Sequence, residues 1–387
     1  MNKFEAFQLL FICFGAYFVP FFSRRLYIPS SVGEIIFGVA LGMFFHSMEF
    51  DRGTIHFLAE FGFIVLMYLA GLEIDFDNIR KTARKDLMAY LMVIILIILA
   101  SVAVVLYRHD APLMVLVYMT VAVGLLFPVL KETGFIDKNS GQALLIIGGI
   151  GEAFTLMALS LFTLFYQYGF SAKAVGHFAG VLAFMVFVLF VMKFTKLFFW
   201  WFPHLSRIFI LTGNSTETGM RATFVNIFVF VSVAVFFDME PIVGAFIGGM
   251  LFAIQFHDRE NIQERLSGIG YGFLVPIFFI NVGMGFNVTD FLAPNVLMTG
   301  ISISLIMLAV RIFSIFPLYF TSLPKKILII SPFSLAYPLT LMVATAAIGK
   351  QYNAISSTES ASIVFAAMFT AIVLPSITRA LVKKLYF

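Results

Sequence analysis

About thirteen apolar segments, each long enough to cross a bilayer, follow one another along this chain, and no loop between them is large enough to fold separately. They fall near Phe4–Phe22, Ser31–His46, Phe57–Leu72, Leu87–Tyr107, Pro112–Leu130, Gln142–Tyr166 and Ala174–Trp200. The rest lie near Gly219–Phe237, Pro241–Phe256, Gly268–Gly285, Leu297–Phe320, Ile327–Ile348 and Ser360–Leu381. Backbone polar groups in hydrocarbon must be satisfied within the segment, so the expected fold is an all-α polytopic membrane protein. Composition agrees: of 387 residues 61% are hydrophobic and only 12% charged, which excludes a soluble globular chain.

Several function classes drop out at once. The single cysteine, Cys13, excludes a disulfide framework and a multi-cysteine metal site, and reads as a small apolar filler in the first helix. No phosphate loop, nucleophile motif or cofactor fingerprint occurs, so neither an enzyme nor a cofactor is expected. Basic residues sit in short loops, so nucleic acid is not needed to explain the positive charge. The opening MNKFEAFQLL runs directly into apolar sequence without a small-residue cleavage site, which reads as a first membrane helix.

Orientation follows from the basic loops. If the N-terminus is outside, the outer loops carry five Lys and Arg residues and the inner side eighteen, with Arg221 and Arg311 completing the 25. Cytoplasmic loops attract the excess, so the N-terminus is expected outside and the C-terminus in the cytoplasm of a bacterial inner membrane.

An internal repeat is visible. VGEIIFG (Val32–Gly38) matches VGAFIGG (Val243–Gly249), and AGLEIDF (Ala70–Phe76) matches VGMGFNV (Val282–Val288). Gly33 to Gly71 is 38 residues and Gly244 to Gly283 is 39, so the pairs share nearly one offset. Seven crossings separate the copies, an odd number, which gives opposite orientations. Inverted repeats with a site at their junction are the architecture of secondary transporters, although small-residue motifs also recur wherever membrane helices pack closely. The expected division is a first repeat over about 1–168, a connecting helix over about 173–201 and a second repeat over about 217–387. The chain is expected to carry no soluble regulatory domain.

The same offset pairs Pro128, in TVAVGLLFPVLKE, with Pro338, in SPFSLAYPLTLMVA. A proline in a span frees a backbone carbonyl, and matched breaks in two halves point to a transport site, with simple kinks as the plainer reading.

Ionisable residues inside a span are costly and functional by default. Glu152 lies 14 residues from Lys138 and 21 from Lys173; Arg311 lies 14 from Lys325 and 21 from Asp290. On a helical ruler both are buried at one depth, either as working charges or as a static pair that fixes packing. Gly148, Gly149 and Gly151 leave the face beside Glu152 open to water or to a close neighbour. Glu34 and Glu60 are secondary candidates near the ends of short spans, where snorkelling or capping serves equally.

The runs IPSSVGEIIFGVALG (Ile28–Gly42), LMYLAGLEIDF (Leu66–Phe76), VGAFIGGMLFA (Val243–Ala253) and PIFFINVGMGFNV (Pro276–Val288) together resemble the sodium/hydrogen exchanger domain of the cation:proton antiporter-2 family, which includes the Kef systems. The resemblance covers essentially the whole chain. It implies thirteen helices, an inverted-repeat sodium/proton-antiporter fold, two crossed broken helices and a homodimer. That family carries a polar residue followed by Asp where this chain has Gly151 and Glu152, and a Lys or Arg where Arg311 stands. Its Thr- and Ser-rich first break is reduced here to Thr120. The resemblance therefore implies monovalent cation (Na+ or K+)/proton antiport through Glu152, with Gly151 and Thr120 beside it. A proton-coupled carrier of another solute and a non-transporting scaffold or sensor are the alternatives.

Overall fold

The computed structural model describes residues 3–26, 28–45, 53–74, 79, 81–169, 217–237, 239–256, 260–286 and 293–386, with scattered positions between 180 and 201. About half of the expected span Ala174–Trp200 thus lies outside the described residues.

The described chain is helical and, among its residues, has no strand. In order come α1 (Lys3–Arg25), α2 (Ser30–Phe45), α3 (Gly53–Leu72), α4 (Arg84–Arg108), α5 (Leu113–Met119), α6 (Leu126–Glu132) and α7 (Asn139–Tyr168). After the connecting stretch follow α8 (Thr218–Phe236), α9 (Pro241–Gln255), α10 (Glu260–Ile269), a π turn (Gly270–Leu274) and α11 (Val275–Met284). The chain closes with α12 (Pro294–Ser314), α13 (Ile327–Ser334), α14 (Leu339–Gln351) and α15 (Ser357–Tyr386). Nine described helices are long and apolar enough to cross a membrane, and Ser30–Met43 and Pro241–Gln255 are shorter apolar helices.

Local chemistry sets the ends. Pro241 and Pro294 open α9 and α12 at the first helical position, where the missing N–H costs nothing. His109 closes α4 in the left-handed region, at φ 55°. Ser356 and Glu359 form a reciprocal capping box at α15: Ser356 N–H donates to Glu359 Oε2 at 2.7 Å, and Glu359 N–H to Ser356 Oγ at 3.2 Å.

The chain divides into two compact units. One comprises residues 1–17, 49–76 and 160–281; the other comprises residues 18–48, 77–159 and 282–387. In the first, α3 and α9 approach backbone to backbone. A Cβ at Gly71 would meet Phe246 O and sit 2.9 Å from Met250 N, and one at Gly249 would meet Tyr68 O. Tyr68, fully buried, donates its hydroxyl to Asn226 of α8 at 3.0 Å. In the same unit a Cβ at Gly244 would meet Phe230 O and Ala234 of α8.

Gly283 in the second unit makes the contact that Gly71 makes in the first. A Cβ there would meet Ile35 O and lie 2.8 Å from Val39 N. A Cβ at Gly33 would meet Val19 and Ser23 of α1. Val19 and Phe230, Ser23 and Ala234, Gly33 and Gly244, Ile35 and Phe246, and Val39 and Met250 are all separated by one offset of 211 (33 to 244, 35 to 246). Small residues at such crossings let backbones close in, which is how membrane helices gain van der Waals contact without a hydrophobic driving force.

Candidate functional site

The site is assembled within the second unit, where two helices are interrupted. The first interruption runs from Thr120 to Leu125, between α5 and α6. Thr120 leaves the helix at φ −56° and ψ 123°, and helical bonding resumes where Phe127 N–H donates to Val123 O at 2.9 Å. The second runs from Leu335 to Pro338, between α13 and α14, with Leu335, Ala336 and Tyr337 buried. Buried backbone outside a helix leaves donors and acceptors to be met by something else.

Two buried charged side chains meet them. Val123 N–H donates to Glu152 Oε2 at 3.0 Å, so the carboxylate of α7 holds the amide freed by the first break. Arg311 of α12 holds freed carbonyls: Nη1 donates to Tyr118 O, Nη2 to Thr120 O, and Nε to Leu335 O at 3.3 Å. One guanidinium therefore joins both breaks. Its planar fork of donors suits several carbonyls at once, which a lysine ammonium would not span as well. Both side chains are fully buried.

The static pair, the plainer of the two readings of these charges, is not formed. Glu152 and Arg311 share a region, but each is spent on backbone of opposite polarity, and no ion pair joins them. Sequence depth could not separate these cases, because it fixes height in the membrane and not the direction of a side chain. Glu152 keeps its other oxygen, Oε1, without a protein hydrogen bond.

Gly151 does not leave an open space where a second polar ligand could stand. A Cβ there would lie 2.8 Å from Val121 and 3.1 Å from Ile94, and one at Gly148 would lie 3.1 Å from Val123. The glycine face of α7 is thus packed directly against the first break. Thr120 is fully buried, but its hydroxyl donates back to Leu116 O, so its carbonyl rather than its side chain enters the site.

The prolines are placed unequally. Pro338 sits in the second break and caps α14 at φ −83° and ψ 62°. Pro128 falls inside the first turn of α6, after the first break, where a missing N–H is tolerated; the interruption belongs to Thr120–Leu125 instead. Glu34 is 4% exposed on α2 and forms no ion pair, whereas Glu60 is exposed on α3 of the other unit and pairs with His56 at 3.4 Å.

Ser314 and Ser334 were not candidates in the sequence. Both are buried, with hydroxyls that make no protein hydrogen bond. Ser314 lies three residues beyond Arg311, and Ser334 precedes the Leu335 whose carbonyl Arg311 holds. The i, i+3 spacing from a buried arginine was the available signal.

Residues 10–384 match the family described as sodium/hydrogen exchanger, transmembrane. The chain belongs to this family. Among curated sodium/hydrogen exchanger relatives, the putative Na+/H+ antiporter YjbQ of Bacillus subtilis (strain 168) is 29% identical over 400 residues, covering 97% of this chain and 63% of its own. The chain thus spans less than two thirds of that relative's length. The probable Na+/H+ antiporter 3 of Methanocaldococcus jannaschii is 26% identical over 282 residues, covering 70% of this chain and 69% of its own. The solved structure of the sodium proton antiporter MjNhaP1 from Methanocaldococcus jannaschii superposes with a TM-score of 0.62 at 12% identity, over 97% of this chain and 96% of that one. At that identity the likeness is one of fold: this exchanger-family chain has the fold of that antiporter.

Proposed function

We propose that the chain is a secondary transporter that exchanges a monovalent cation for protons, with Glu152 as the carboxylate both ions occupy in turn. The observation that carries this reading is the state of Glu152: fully buried, one oxygen anchored to Val123 N–H and the other uncommitted. A proton or a cation can neutralise that oxygen, and occupation by one excludes the other. Carbonyls of the first break and the buried hydroxyls of Ser314 and Ser334, which make no protein hydrogen bond, are polar groups of the same unit that a cation could use in place of the ligand missing at Gly151. Arg311 on this reading is a fixed positive clamp; each of its three nitrogens donates to a carbonyl, which argues against an anion carried on the guanidinium.

Further expectations rest on the same reading. The common offset of 211 among glycine contacts supports two inverted repeats over about 1–168 and 217–387. The apolar outer face of α1, with Phe7, Phe11, Phe14 and Phe21 exposed, supports burial against lipid or a second copy in a homodimer. The loop charges support the N-terminus outside and the C-terminus inside an inner membrane.

Proteoliposomes with a lumenal pH dye, pulsed with Na+, Li+, K+ or choline, test the proposal. A cation-dependent proton flux in wild type that Glu152→Gln reduces to the level of empty liposomes is the expected result. Equal transport by the variant would sink the role of Glu152.

A further inference from the structure

At the other end of α5 from the break lies a cavity of about 410 Å³, whose walls include Arg108, His109, Asp110, Tyr118 and Glu359. Its acidic centre is Asp110. Arg108 Nε donates to Asp110 Oδ2 at 3.0 Å, and Tyr118 donates its hydroxyl to the same oxygen at 3.1 Å. Glu359 is occupied in the capping box of α15, and α12 contributes only uncharged residues to the walls.

Tyr118 is therefore held at both of its polar ends. Its side chain reaches the cavity acid, and its carbonyl, one residue before the end of α5, accepts from Arg311. Only Met119 separates it from Thr120, the second carbonyl on the same guanidinium. The residue is 1% exposed, so its ring has little freedom to absorb a movement of either end. We propose that Tyr118 is a positioning residue that couples the Asp110 cavity to the first break, holding α5 in the register at which Arg311 and Glu152 meet the freed backbone.

This inference rests on the antiport reading only for its transport test, so a second readout is independent of transport. Purified wild type, Tyr118→Phe and Asp110→Asn are compared in nanodiscs by hydrogen–deuterium exchange, and in proteoliposomes by cation-driven proton flux. Both variants are expected to raise deuterium uptake across residues 119–125 while α4 and α12 keep wild-type uptake. A hydrogen bond to a charged acceptor is worth roughly tenfold in an equilibrium, so the apparent cation KM should rise by about tenfold with turnover within about twofold. Because both variants weaken the same Tyr118–Asp110 bond, while Asp110→Asn also disturbs the Arg108 pair, the double variant should be little worse than Asp110→Asn alone. Uptake that changes only over residues 108–118, or effects that simply add, would overturn the coupling. If wild type shows no cation-dependent flux but the uptake changes are found, the coupling stands and the antiport reading falls. If wild type exchanges and both readouts are unmoved, the reverse holds.

Discussion

Glu152 and Arg311 divide a task that a contact ion pair would have collapsed into one. A buried pair can neutralise itself, but its desolvation is costly and it leaves interrupted backbone to find partners elsewhere. Here the backbone is the partner: an amide for the acid, three carbonyls for the base. Arg311→Met should strand those carbonyls at about 1–3 kcal/mol each, seen as a large fall in melting temperature in detergent, with Arg311→Lys losing less. On the proposed antiport reading proton and cation compete for one Glu152 oxygen, so each unit of acidification below the pKa of the site should raise the apparent cation KM by up to about tenfold. Acid therefore weakens cation binding, and proteoliposome titrations at stepped pH measure the slope. Gly151 carries its own prediction. Restoring a polar ligand by Gly151→Asn puts side-chain atoms into Val121, 2.8 Å from the position of a Cβ. The variant should lose about 1–3 kcal/mol of stability, and adding Val121→Ala should recover much of it; thermal melts of the two variants decide.

At the scale of elements, the close crossings make a paired prediction. Gly71→Leu and Gly283→Leu each drive a side chain into a neighbouring carbonyl, of Phe246 and Ile35 respectively. Both should lower folded yield and melting temperature, whereas Gly268→Ala, with nothing within 4 Å, should be silent. Much of this was legible in the sequence. Unbroken apolar runs gave the helices, because hydrocarbon allows few other solutions. The motif pairs around Gly33, Gly71, Gly244 and Gly283 located the crossings, because only the smallest residues permit that approach. The breaks were legible as a pair but displaced at Pro128, since proline is tolerated in a first turn and need not mark the interruption. Thr120 illustrates the same limit: a buried threonine can return its hydroxyl to its own helix, and composition does not say which way it turns.

For the whole molecule, family and fold were readable from four motifs in order, while the partners of Glu152 and Arg311 were not. They depend on four segments distant in sequence, 118–123, 152, 311 and 335, arriving at one place. On the proposed antiport reading, the uncommitted Glu152 oxygen has a consequence for energetics. A site with one titratable carboxylate and one permanently engaged arginine carries the same net charge whether it holds a proton or a monovalent cation. Exchange of one for the other moves no charge across the bilayer, so a membrane potential, worth about 2.3 kcal/mol per charge per 100 mV, does no work on the cycle. Clamping the liposome voltage with valinomycin and K+ should leave the rate of Na+-driven proton flux unchanged, and a voltage-dependent rate would require a second titrating group. A carrier of this kind can build only the cation gradient that the pH difference allows, about tenfold for each unit of pH.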